Sequence, residues 1–288
     1  MSIAQTEKYY LPEPSSWPII GSLALMVMCI GGVMTMNEID YGGWVLLAGF
    51  AIMFYMMFGW FGEVIRDSEA GKFNKQVDSS YRWSMSWFIF SEVMFFAAFF
   101  GALFYTRVLS VPWLAEGETM NQLWQGFKGG WPTAGPGLTQ DGYQFTPMGA
   151  WGIPAINTLL LLTSGITVTW AHWALKKNNR SQLILGLAAT VTLGLIFMSL
   201  QVYEYYHAYT ELGLTLGSGV YGATFFMLTG FHGFHVLVGT TMLLIMLFRS
   251  MAGHFTADHH FAFEAVSWYW HFVDVVWVLL FIVVYWLI

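Results

Sequence analysis

Seven stretches of this sequence are long and apolar enough to cross a bilayer, and that limits the fold more than any other feature. A hydrocarbon core about 30 Å thick takes about 20 predominantly apolar residues per helix. Inside it, every backbone N–H and C=O must be satisfied within the protein. The stretches run from Trp17 to Thr35, Gly43 to Ile65, Trp83 to Tyr105, Trp151 to Trp173, Leu183 to Ala208, Val220 to Phe248 and Ala265 to Leu287. The expected fold is therefore an all-α integral membrane protein with seven transmembrane helices. Composition agrees, because 57% of the 288 residues are hydrophobic and only 10% are charged, against roughly 25% charged in soluble domains. With a formal charge of -6, the chain lacks the basic patch that phosphate neutralisation needs, which excludes nucleic acid as a partner. The single cysteine, Cys29, can form neither an internal disulfide nor a thiolate metal cluster.

The first stretch follows a polar segment with Pro12 and Pro14 and has no cationic start, so it reads as a retained span rather than a signal peptide. Trp17, Trp44, Trp60, Trp83, Trp151, Trp173, Trp268 and Trp286 fall near span ends, where an indole leaves its ring among acyl chains and its N–H among headgroups. The cations set the orientation. Lys8, Arg66, Lys72, Lys75, Arg82, Lys176, Lys177, Arg180 and Arg249 fall on one side, and only Arg107 and Lys128 on the other. The positive-inside rule then places the N-terminus in the cytoplasm or matrix and the C-terminus outside. The expected divisions are an inner N-terminal segment over 1–16, a two-helix unit over 17–66, a charged connection over 67–82, and a five-helix bundle over 83–288 with a long external loop at 107–149.

An ionisable side chain at a helix centre costs about 2.5–3.5 kcal/mol on insertion scales, so each one calls for a partner, a cavity or a neutral form. Glu92, among Phe90, Phe95 and Phe96, is the most isolated acid, ten residues or about 15 Å of helix rise from Arg82. It reads either as a neutral acid bonded to a neighbouring helix or as a proton-handling group. His271 and Asp274 share one face of the seventh span, and Glu204 and His207 repeat that spacing in the fifth. Glu264 begins the seventh span on the inner side.

His232 and His235, and also His259 and His260, supply imidazoles two at a time. This is too few for a transition-metal site, so no metal is expected and the histidines read as buried polar packing groups. Gly230, Gly233 and Gly239, interleaved with the first pair, fit close helix packing. Trp60, Glu63 and Arg66 end the second span and Arg249 ends the sixth, where an arginine either snorkels or forks its donors to a lipid phosphate. Nucleotide motifs, nucleophile triads and a Cys-x-x-Cys-His heme signature do not occur in the sequence.

Motifs along nearly the whole chain resemble subunit III of the cytochrome c oxidases, within the heme-copper oxidases. They are Pro14-Ser-Ser-Trp-Pro, Glu63-Val-Ile-Arg-Asp, Ser91-Glu-Val-Met-Phe-Phe, the run from Asn157 through Thr169-Trp-Ala-His-Trp, Tyr221-Gly-Ala-Thr-Phe-Phe, Thr229-Gly-Phe-His-Gly-Phe-His-Val, His259-His-Phe-Ala-Phe-Glu-Ala and Trp268-Tyr-Trp-His-Phe-Val-Asp-Val-Val-Trp. The resemblance implies two helices diverging from five around a V-shaped cleft filled with ordered phospholipid. It implies a non-redox accessory subunit of a proton-pumping oxidase in aerobic respiration, with no cofactor or catalytic centre of its own. Heme and copper are expected in partner subunits; the implied partners are subunit I in direct contact, and subunit II and a small subunit IV in the same complex, with cytochrome c as electron donor to the complex. Glu92 matches the carbodiimide-reactive acid of that family, and Trp60, Glu63, Arg66 and Arg249 its lipid contacts. The external connection from Leu114 to Gly149, longer than in mitochondrial relatives, resembles bacterial members and implies a bacterial cytoplasmic membrane with a periplasmic C-terminus. His207 stands where mitochondrial relatives often have an acid.

Three other readings compete. A quinol oxidase subunit III usually lacks the first two helices, which this chain has. A transporter or proton channel would use Glu92, His271 and Asp274 as its path, and a membrane di-iron enzyme would carry stoichiometric iron.

Overall fold

The computed structural model describes residues 10–288, and among them every regular element is helical. Lys8 and the start of the expected 1–16 segment lie outside the described residues. Seven helices are long and apolar enough to span a membrane: α1 (Trp17–Met36), α2 (Gly42–Glu69), α3 (Lys75–Phe104), α4 (Ile153–Lys176), α5 (Arg180–Thr210), α6 (Gly219–Ala252) and α7 (Phe261–Leu280). Segments of π-helix over Tyr105–Ser110 and Phe281–Trp286 extend α3 and α7 at the end opposite their charged ends. Most helices run past the apolar stretches on the charged side, because polar residues there continue the same backbone hydrogen bonding. The connection after α2 is therefore short: α2 ends at Glu69 and α3 begins at Lys75.

The chain divides into two compact units between Trp83 and Ser84. In the first, α1 and α2 form an antiparallel pair that closes where side chains are smallest. A Cβ on Gly31 would strike the backbone at Val45 and Leu46, and one on Gly49 would lie 2.6 Å from Met28 Cγ. Such small-residue contacts let helix backbones approach where no hydrophobic effect drives association. At the charged end, Asp67 accepts from Tyr10 Oη and Lys72 Nζ, both at 2.7 Å. The hydrogen bond to that carboxylate holds the Lys72 ammonium above the ordinary lysine range.

In the second unit, α4, α5, α6 and α7 pack in sequence and α7 returns to α4, which closes a ring. Trp270 and Trp277, both fully buried, fill its interior. Their indole N–H groups donate to Ser164 Oγ and Thr158 Oγ1 on α4, each at 2.9 Å. Trp270 fits because Gly194 on α5 and Gly239 on α6 leave room: a Cβ would come within 3.1 and 2.8 Å of its ring. Gly233 faces open space instead, so the expectation of a packing role holds for Gly239 and fails for Gly233. α3 joins the ring through Phe95 and Phe96, whose rings lie 5.0 Å from Phe231 and His235 of α6.

The external loop folds onto the α5–α6 connection. Thr146 N donates to Leu212 O at 2.9 Å, Tyr143 Oη to Gly213 O at 2.7 Å, and Tyr221 N to Thr133 O at 3.2 Å. Phe145 stacks on Tyr221 at 5.2 Å. Arg107 donates to the carbonyls of Val283 and Leu287, where a cation complements the negative end of a helix dipole.

Gly239→Ala is expected to cost about 1–3 kcal/mol by overpacking against Trp270, seen as a lower thermal midpoint. Gly233→Ala on the same helix should leave the midpoint unchanged or raise it, and equal effects would contradict the packing described.

Candidate functional site

Two neighbouring helices turn ionisable groups toward each other at mid-height. Glu92 lies 17 residues after Lys75, the start of α3, and His235 lies 16 residues after Gly219 and 17 before Ala252 on α6. Glu92 Oε2 is 2.9 Å from His235 Nε2. His235 Nδ1 meets the Phe231 carbonyl at 2.7 Å. A carbonyl only accepts, so Nδ1 carries hydrogen and Nε2 is left to Glu92. The pair then holds one proton between a carboxylate and an imidazole, as a neutral acid donating to nitrogen or as an ion pair. Phe96 and Tyr269 line the imidazole at 5.0 and 6.2 Å. Phe90, expected to help bury Glu92, is exposed and its ring meets Trp87 at 5.7 Å. Helical geometry turns it away, because residues two apart do not share a face.

His271 and Asp274 do meet, Nδ1 to Oδ2 at 3.3 Å, and His271 Nε2 lies 3.2 Å from Thr169 Oγ1 on α4. Gly165 permits this, since a Cβ there would overlap the Asp274 carboxylate. The two line a groove of about 700 Å³ with Leu162, Ile166 and Val275. His232 is fully enclosed: Nε2 donates to the Val273 carbonyl at 3.2 Å and the ring packs 5.0 Å from Trp277. His232 and His235 thus have different partners and do not converge on one point.

Glu204 and His207 do not pair, contrary to the expectation from spacing. Glu204 is fully buried and accepts from Tyr285 Oη at 2.7 Å and from Gln201 Nε2 at 3.4 Å, and Asn157 Nδ2 extends the chain to Gln201 Oε1 at 3.4 Å. His207 faces outward to Glu211 at 3.3 Å. A shared helix face permits contact, but the Tyr285 hydroxyl of α7's extension takes the acid instead. Sequence reasoning missed Tyr285 and Gln201, and the bonding role of Asn157, because amides and phenols in apolar runs give no spacing signal.

Near the inner end of α2, the carboxylate of Glu63 accepts from Trp17 Nε1 at 2.5 Å. Trp17 is therefore tied within its own unit rather than left as a free interfacial anchor. Arg66 and Trp60 are exposed on the same helix. Arg249 lies with its guanidinium 4.6 Å over the Phe255 ring. His259 is exposed while its neighbour His260 is buried.

A family model described as cytochrome c oxidase subunit III matches residues 7–288. The chain belongs to that family. It is similar to cytochrome c oxidase subunit 3 of Marchantia polymorpha, 42% identical over 99% of this chain and 98% of the relative. The same protein of Arabidopsis thaliana is 42% identical over 98% of this chain and 97% of the relative. That of Syncerus caffer is 38% identical over 98% of both chains. Membership in the subunit III family makes the chain part of a multi-subunit oxidoreductase complex, and its seven apolar helices fit a multi-pass membrane protein.

Within this subunit III, the coupling of Glu92 to His235 can be measured. His235→Phe keeps a ring, removes both nitrogens and should cost about 1–3 kcal/mol by leaving Glu92 without its partner. Adding Glu92→Leu should recover part of that loss in the thermal midpoint. Simple addition of the two losses would mean the pair is not coupled.

Proposed function

We propose that this chain is the non-redox third core subunit of a proton-pumping cytochrome c oxidase in a bacterial cytoplasmic membrane, N-terminus inside and C-terminus periplasmic. It packs on the catalytic subunit I, in a complex that also contains subunit II and a small subunit IV; heme and copper are held by partner subunits, and the complex takes electrons from cytochrome c. Its roles are to bind structural phospholipid, to stabilise the complex against inactivation during turnover, and to support proton uptake on the inner side. The observation that carries this reading is the family match over residues 7–288. The cation distribution supports the orientation, because eight of the nine inside cations lie within the described residues, in or near the α2–α3 and α4–α5 connections and the end of α6.

The Glu92–His235 pair supports a proton-related role. A carboxyl and an imidazole sharing one proton can give it up and regain it with little movement, and the half-buried position of Glu92 leaves one side of the pair accessible. Glu264 opens α7 on the inner side under the proposed topology, where a carboxylate raises local proton availability. Trp60 and Arg66, both exposed beside the inner end of α2, suit a phospholipid headgroup, with the guanidinium on phosphate and the indole at the acyl boundary. Arg249 and Glu63 complete the proposed lipid contacts, Glu63 through its hold on Trp17.

Affinity purification in mild detergent followed by a reduced-minus-oxidised spectrum tests the assignment. Heme co-purification with cytochrome c oxidation is expected, and oxidation of quinol but not of cytochrome c would overturn it. Glu92→Gln should leave assembly and initial oxygen consumption nearly unchanged while altering turnover inactivation or the pumping ratio. Loss of heme absorption would contradict an accessory role. Arg66→Ala should lower co-purifying phospholipid and speed inactivation, and unchanged lipid content would remove Arg66 from the lipid site.

A further inference from the structure

The outer part of the ring encloses a second acid, on different helices from the Glu92 pair. Glu204 lies six residues before Thr210, the end of α5, and the external loop bonds to the connection that follows. Its side chain is buried, as are those of Tyr285, Gln201 and Asn157. The bonding around the carboxyl is lopsided. Oε1 accepts from both Tyr285 Oη, at 2.7 Å, and Gln201 Nε2, at 3.4 Å, whereas the buried Oε2 has no partner within the described residues. The relay runs on from Asn157 Nδ2 to Gln201 Oε1 at 3.4 Å, and there too one oxygen, Asn157 Oδ1, is buried without a partner. Both amide contacts exceed the usual span of about 2.7–3.2 Å for N–H···O bonds, so these side chains close only loosely on one another.

The surroundings fix the state of the acid. His207 turns away to Glu211, and within the described residues no cationic side chain forms an ion pair with Glu204. A carboxylate here would hold its charge unpaired in an aromatic enclosure, where Phe225 lies 5.5 Å and Trp277 5.9 Å from the Tyr285 ring. That is the costly case for an ionised group. Protonation removes the charge. The oxygen that takes two donors is then the carbonyl, and the hydrogen sits on Oε2. An Oε2–H buried without an acceptor is costly in turn, and Asn157 Oδ1 lacks a donor. Water supplies both, since a buried water makes about three such bonds to otherwise unpaired groups. A hard cation would take about six oxygens, and this cluster offers two.

We propose that Glu204 is a neutral carboxylic acid whose Oε2–H donates to internal water, forming with Tyr285, Gln201 and Asn157 a proton-exchanging site in the outer part of the bundle. The Oε2 proton passes to the water as a proton of that water returns to the carboxyl, so the site keeps its charge throughout. Tyr285 and Gln201 stay bonded to Oε1 and hold the carboxyl still while the hydrogen changes. Unlike the Glu92 pair, this site has no imidazole, so water is the partner through which its proton turns over.

The test uses the assembled complex, purified in mild detergent, and rests on the chain assembling with heme as proposed above. Infrared difference spectra induced by transfer from H2O to D2O are recorded for the wild type and for Glu204→Gln, which keeps the shape and places an NH2 donor where the OH stood. The wild type should show the C=O band of a protonated carboxyl that moves to lower frequency in D2O, and the variant should lack it. Coincident spectra overturn the proposal, because Glu204 is then ionised or sealed from water. Should the variant be missing from the complex, an electron cryo-microscopy map of the wild type that resolves ordered water in other subunits decides. Water density within hydrogen-bonding distance of Glu204 Oε2 supports the site, and its absence refutes it. A preparation without heme fails the oxidase assembly, whereas a heme-containing complex with coincident spectra fails only the Glu204 site.

Discussion

A polar group carried into an apolar bundle must find its partner inside the protein, and in this chain that constraint organises nearly everything else. An unpaired charge at a helix centre costs about 2.5–3.5 kcal/mol, so a sequence with 10% charged residues can place few of them there. Those it does place act as cross-links. Glu92 ties α3 to α6 through His235, Glu204 ties α5 to the extension of α7 through Tyr285, and Glu63 ties α2 to α1 through Trp17. Each bond fixes the rotation of two helices about their axes, which apolar side chains alone leave loosely specified. The indoles of Trp270 and Trp277 do the same for α7 and α4.

One local device recurs among the histidines and sorts them into different roles. His235 and His260 each direct Nδ1 at the carbonyl four residues earlier, which occupies that nitrogen and leaves Nε2 for a neighbouring side chain. What Nε2 then meets is set by the neighbouring helix. For His235 it is one carboxyl, and the pair can share a proton. For His260 it is the Glu264 carboxylate, which the imidazole of His172 approaches as well. His232 uses the opposite nitrogen, Nε2, on the Val273 carbonyl and is enclosed by aromatic rings. Three similar residues in apolar surroundings thus differ in chemistry through their second nitrogen.

Glycine positions decide how closely these partners approach. Gly165 admits the Asp274 carboxylate, Gly194 and Gly239 admit Trp270, and Gly31 and Gly49 bring α1 against α2. As a member of the cytochrome c oxidase subunit III family, the chain places these contacts inside two compact units. The exposed aromatic and aliphatic side chains on α2 and α3 are what a protein surrounded by lipid and partner subunits presents.

The number of spans, the helical class, the sidedness of the cations and the family motifs were legible in the sequence, because hydropathy and charge along the chain are one-dimensional quantities. The i, i+3 pairing of His271 with Asp274 was legible too, since both lie on one helix. Pairings between helices were not. Glu204 and His207 have the same spacing yet part company, because Tyr285, eighty-one residues away, offers Glu204 a shorter bond. Glu92 looked isolated until α6 turned His235 toward it, and His172 had no visible connection to His260 and Glu264. Helix rotation and the close approach allowed by small residues determine such meetings, and both depend on all the packed faces at once. Sequence alone determined which residues could not remain unpaired in a membrane; tertiary packing decided which partners they found.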